Sequence, residues 1–138
     1  MLRSVAIALL ALFTAQAGTV TLNAGLSSAG GPESAGAYGM AGLARVTLNP
    51  DSNQVCYSIT APKVSQITAI HIHRGTAGET GPIVVSLPYS PHGQMSGCTA
   101  ASAQAIQAII KDPAGYYVNV HTARHPQGAV RGQLEVPG

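Results

Sequence analysis

From Gly18 onward the chain is divided into short runs in which apolar and polar residues alternate at every second position, with turn residues about every ten positions. That period belongs to a β-strand with one face on a core and the other in water, and it limits the chain to sheet architectures. Residues 42–48 (GLARVTL) set Ala44, Val46 and Leu48 against Leu43, Arg45 and Thr47. Residues 54–60 (QVCYSIT) resume the alternation with Val55, Tyr57 and Ile59 on one face. Asn49-Pro50-Asp51-Ser52-Asn53 between them is turn chemistry, so the two runs predict a β-hairpin with a five-residue connection.

Further strand-like runs at 18–22, 67–72, 83–87, 115–122 and 128–136 bring the total to about seven. One stretch departs from the pattern. In 101–111 (ASAQAIQAIIK), Ala105, Ile106, Ile109 and Ile110 recur at helical spacing, Thr99 or Ser102 can cap the start, and Asp112-Pro113 ends it. The spacing predicts a short amphipathic helix packed on a sheet. The expected fold class is therefore all-β: an immunoglobulin-like or Greek-key β-sandwich of about seven strands with one short α-helix over 101–111. A parallel α/β fold would need several helices. Residues 23–40, rich in Gly, Ser and Ala, and residues 88–98 (PYSPHGQMSGC), which carry His92, read as loops, with His92 expected in solvent.

The start of the chain has its own character. Met1-Leu2-Arg3 supplies a positive end, residues 5–13 an apolar stretch, and Ala15-Gln16-Ala17 a small-x-small cleavage site. Residues 1–17 thus read as a secretory signal peptide, shorter than the ~20 apolar residues needed to cross a bilayer, leaving 18–138 as a single domain without a transmembrane segment. The protein is expected in the periplasm or outside the cell. Removing Arg3 from the seven Lys+Arg leaves six, against five Asp+Glu. So few and so dispersed charges exclude nucleic acid as a partner, since phosphate binding needs clustered cations. In an exported chain, the pair Cys56 and Cys98 reads as a disulfide tying the strand of Cys56 to the loop before the helix.

The residues with most chemistry lie in 67–87 (ITAIHIHRGTAGETGPIVVSL). His71 and His73, two apart on a strand, share one face, with Ile70 and Ile72 on the other. Later in the chain, 115–122 (GYYVNVHT) places Tyr117, Asn119 and His121 on one face.

These segments resemble the chordin-type (CHRD) domain over roughly residues 42–136. The matching motifs are A-x-H-I-H-x-G around His71 and His73, G-P-x-V-V at 81–85, Y-x-N-V-H-T at 117–122 and G-x-x-R-G-Q at 128–133. The resemblance implies an extracytoplasmic β domain, known in stand-alone bacterial forms, with no defined reaction. His125 departs from the family pattern, so any role for it would be peculiar to this chain. A second, local resemblance is to copper-zinc superoxide dismutase: H-x-H on a strand, a late histidine and a Gly-x-x-Arg segment place His71, His73, His121 and Arg131. The zinc loop of that family has no counterpart, only Glu79 following His73, so a full dismutase is not expected.

Two function classes follow. The leading expectation is an exported, non-enzymatic CHRD-type module that binds an unidentified protein or small ligand, or serves a structural role. Its histidines would then sit in a hydrogen-bonded polar seam with Tyr117, Asn119, Arg131 and Gln133. The alternative is a copper or zinc protein whose ligands are His71, His73 and His121, with His125 or His92 as a fourth, because imidazole suits both metals. Hydrolytic chemistry is poorly served. Ser86 and Ser90 lack a G-x-S-x-G context, and Asp51 and Asp112 occupy turn positions.

Overall fold

The structure, a computed structural model, describes residues 4–8, 18–28, 39–91 and 95–138. The strands are β1 (Val20–Ser27), β2 (Ala41–Asn49), β3 (Gln54–Thr60), β4 (Ile67–Arg74), β5 (Ile83–Leu87), β6 (Ser96–Ala100), β7 (Tyr116–Thr122) and β8 (Val130–Gln133). One helix, α1 (Ala103–Lys111), lies between β6 and β7. All pairings are antiparallel and join the strands into one sheet of order β5-β4-β7-β8-β1-β2-β3-β6. The end strands β5 and β6 approach each other, so the sheet curls until it is nearly closed.

Among the described residues the all-β class with one helix is as expected, but the strands number eight and the ladder is continuous. The two separate sheets of an immunoglobulin-like sandwich are not what the hydrogen bonds record. The additional strand, β6, arises within the 88–98 stretch expected as a loop. Its sequence, SGCTA, has weak intrinsic strand preference, and pairing with β3 is what extends it. Cys98 therefore stands on a strand directly opposite Cys56, and the disulfide joins neighbouring strands instead of anchoring a loop. β1 likewise runs on through Ser27, into the segment expected as a loop, because Ala24 and Leu26 continue the buried row begun by Leu22. Residues 29–38 of that segment, the cleavage site at 15–17 and His92 lie outside the described residues.

The β2–β3 hairpin is one residue tighter than expected, since Asn49 pairs with Gln54. The Asn49 side-chain oxygen accepts from the amides of Asp51 (3.1 Å) and Ser52 (3.2 Å). Asn53 closes the turn at φ 52°, a left-handed conformation that asparagine tolerates. In α1 the Ser102 hydroxyl accepts from the Ala105 amide at 3.1 Å, satisfying an otherwise orphaned donor, and the helix begins at Ala103. Ile106 and Ile109, both fully buried, join the core against the inward residues Leu22, Val46, Leu48 and Val55. No helix among the described residues is long and apolar enough to cross a membrane.

Candidate metal centre

β4 and β7 lie side by side with Ala69 opposite His121, His71 opposite Asn119, and His73 opposite Tyr117. Alternation then sorts the two strands cleanly. Ile70, Ile72, Val118 and Val120 enter the core, while His71, His73, Tyr117, Asn119 and His121 share the opposite face. Two loops cover that face, one of residues 75–81 after β4 and one of residues 123–128 after β7.

Three imidazoles meet there. His71 Nδ1 and His121 Nε2 are 3.1 Å apart, and the ring centroids of His71 lie 5.5 Å from His73 and 4.9 Å from His121. One nitrogen from each of the three falls within 4.8 Å of the others. A 3.1 Å separation of two nitrogens is close to what two bonds of about 2.0–2.1 Å to one ion would give.

The covering loops decide which nitrogens are offered. His73 Nδ1–H donates to the Gly81 carbonyl (2.9 Å) and His121 Nδ1–H to the Pro126 carbonyl (2.8 Å). A carbonyl only accepts, so both rings carry their proton on Nδ1 and present a lone pair at Nε2. His73 is 7% exposed, and its Nε2 is buried with no hydrogen-bond partner among the described residues. A buried acceptor left without a partner is destabilising, and a cation shared with His71 and His121 would satisfy it.

The polar residues around the histidines hold these loops. Tyr117 stacks on His73 with ring planes 2° apart, donates its hydroxyl to the Glu79 carbonyl (3.0 Å) and accepts from the Gly81 amide (3.1 Å). Arg131 donates to the carbonyls of Ala77 (3.2 Å), Glu79 (3.0 Å) and Gln127 (2.8 Å), joining the two loops. Gln133 accepts from the Ala77 amide (3.0 Å) and donates to the Gly75 carbonyl (2.9 Å). Asn119 donates to the Gln127 carbonyl at 3.3 Å. A pocket of about 360 Å³, bordered by His73, His121, Thr80, Asn119 and Arg131, opens the site to small molecules.

His125 is not brought into this group. Its amide donates to the Thr122 hydroxyl (3.1 Å), and it lines a different pocket with Lys63 and Arg124. Spacing pointed to His71 and His73, and His121 completes the set, but the carbonyls of Gly81 and Pro126 have no side-chain signature to find.

Gly81 has a second duty. A Cβ there would land on the Arg74 carbonyl oxygen, far inside van der Waals contact and against backbone that cannot swing away. Gly81→Ala is expected to lower stability by about 1–3 kcal/mol. It should also displace the carbonyl that orients His73, which would weaken any metal held there roughly 10–100-fold. Urea unfolding and competitive metal titration check the two effects.

Burial holds all three imidazoles in their neutral form. Burial lowers His71 to about 4, helped by the neighbouring His121 and His73. Burial also lowers His73, opposed by its bond to Gly81 and aided by His121 and Arg131. His121 is lowered by burial and Arg131 against the pull of Pro126. A depressed histidine is neutral in the fold but protonates near 6.5 when unfolded, so its contribution is complete above that pH. It declines as pH falls from 6.5 towards 4. The metal-free protein should show a falling midpoint in thermal scans across that window, and His71→Asn should flatten the decline.

With the geometry in place, comparison with known proteins adds the lineage. No curated protein and no solved structure matches the chain. A family model, the CHRD domain, matches residues 22–134, from within β1 to just beyond β8. The chain belongs to the CHRD domain family.

Proposed function

We propose that this CHRD protein is an exported metalloprotein that binds one copper ion through His71 Nδ1, His73 Nε2 and His121 Nε2. The observation that carries this reading is the buried Nε2 of His73, without a hydrogen-bond partner among the described residues and grouped with two further imidazoles within 4.8 Å. Three neutral nitrogen donors suit both copper and zinc, and the general affinity order places Cu²⁺ above Zn²⁺. A bound copper would supply one-electron redox or carrier chemistry. The chain's own part is positional: Gly81 and Pro126 fix two tautomers, and Arg131 holds the loops that carry those carbonyls. Export is supported by the family, by the disulfide and by the leader-like residues 1–17. β3 lying beside β6, and β4 beside β7, supports Greek-key connectivity within the curled sheet.

The competing reading is a metal-free, structural seam in a binding module, and the direct 3.1 Å contact between His71 and His121 favours it. Elemental analysis of the purified protein, followed by copper and zinc titration of chelator-treated samples, separates the two. One equivalent of tightly held copper is expected. Absence of binding at micromolar metal would return these histidines to a structural role.

A further inference from the structure

A second pocket, about 370 Å³, sits at the end of the β4–β7 pair and takes no part in the histidine cluster. Its walls are Met40, just before β2, and two further segments. Lys63, Ser65 and Gln66 precede β4, and Thr122, Arg124 and His125 follow the end of β7. The ladder itself brings them together: Ile67 pairs with Thr122, and the Ala123 amide donates to the Gln66 carbonyl at 3.0 Å. The turn is closed from within, the His125 amide donating to the Thr122 hydroxyl (3.1 Å) and the Thr122 amide to the His125 carbonyl (3.2 Å). The pocket is thus a fixed feature of the strand ends.

Its chemistry is one-sided. After Gly18 the chain has six Lys and Arg residues, and two of them face this pocket together with a histidine. No carboxylate among the described residues lines it. Lys63 and Arg124 are exposed, so water screens their repulsion, and an anion seated between them would be attracted by both. Gln66, at φ 56°, stands beside the irregularity between Ile67 and Ala69 and presents the carbonyl to which Ala123 donates, which fixes the shape of this wall. An arginine fork, a lysine point charge and the Ser65 hydroxyl together form the donor set for a tetrahedral oxyanion. The volume leaves room for a small group esterified to it.

From this we propose that the pocket of Lys63, Arg124 and His125 binds a phosphate- or sulfate-class oxyanion, free or as the terminal ester of a small molecule. The site is separate from the histidine cluster and does not depend on metal. The test is an amide-resolved NMR titration of the purified protein at constant ionic strength. The probes are inorganic phosphate, inorganic sulfate and a sugar phosphomonoester, with chloride as control. Saturable shifts confined to Ser65, Gln66, Thr122, Arg124 and His125 are expected, weakened at least tenfold by Lys63→Ala/Arg124→Ala. They should be unchanged in His71→Ala/His73→Ala. Tighter binding of the phosphomonoester would identify an esterified ligand, and equal binding a free oxyanion. Non-saturating shifts, shifts shared equally with Arg45 and Lys111, or a titration indifferent to the Lys63/Arg124 variant would overturn the assignment. Each variant's thermal midpoint, compared with the parent, keeps loss of fold from passing as loss of binding.

Discussion

Replacing His71 and His73 together by alanine should abolish stoichiometric copper binding and leave the protein folded. Both side chains lie on the face of β4 opposite Ile70 and Ile72, so the substitution leaves the packed face of the strand unchanged. What it removes is two of three donors. Structural metal sites of four ligands are worth about 10–16 kcal/mol, several per ligand, so losing two should weaken affinity by on the order of 10³-fold or more. Competition titration against a chromophoric copper chelator reads the change, and circular dichroism checks the sheet. His125→Ala is the matched control. That histidine lines the other pocket, and copper affinity should be indifferent to it. If the double variant held copper as well as the parent, the three-imidazole site would be excluded.

The second large effect concerns stability. Cys56 and Cys98 are 42 residues apart, and the chain-entropy treatment of a loop that size gives about 4 kcal/mol. For a domain of this length that corresponds to a fall of roughly 15 °C in thermal midpoint. Cys56→Ser/Cys98→Ser, or the parent protein under reductant, should show it by calorimetry. β6 is the element most exposed to the loss, because it has one ladder partner and a sequence with little strand preference. Copper stoichiometry should survive, since the histidines stand on β4 and β7. An unchanged midpoint would mean that pairing with β3 alone holds β6.

β6 also marks where sequence reasoning reaches its limit. Period two was clear in β2, β3 and β7 because one face of each is uniformly apolar. In Ser96–Ala100 no such row exists, and the strand results from a partner about forty residues away. β1 was a different case: Leu22, Ala24 and Leu26 do alternate, but the surrounding Gly and Ser suggested a loop. At the site, the one-residue gap between His71 and His73 made their shared face legible. The company of His121 depended on pairing between distant strands, and its link to Pro126 on a backbone atom that no residue pattern encodes. His125 is a histidine close in sequence to His121, yet the turn after Thr122 carries it to another pocket.

The placement of the three histidines on paired strands also bears on how the protein is assembled. Imidazoles from β4 and β7 converge only in one register, and a slip by a single residue would send them inward and Ile70 and Ile72 into water. An ion that demands all three nitrogens would therefore act as a proofreader of strand alignment, retained by a correctly zipped chain and refused by a slipped one.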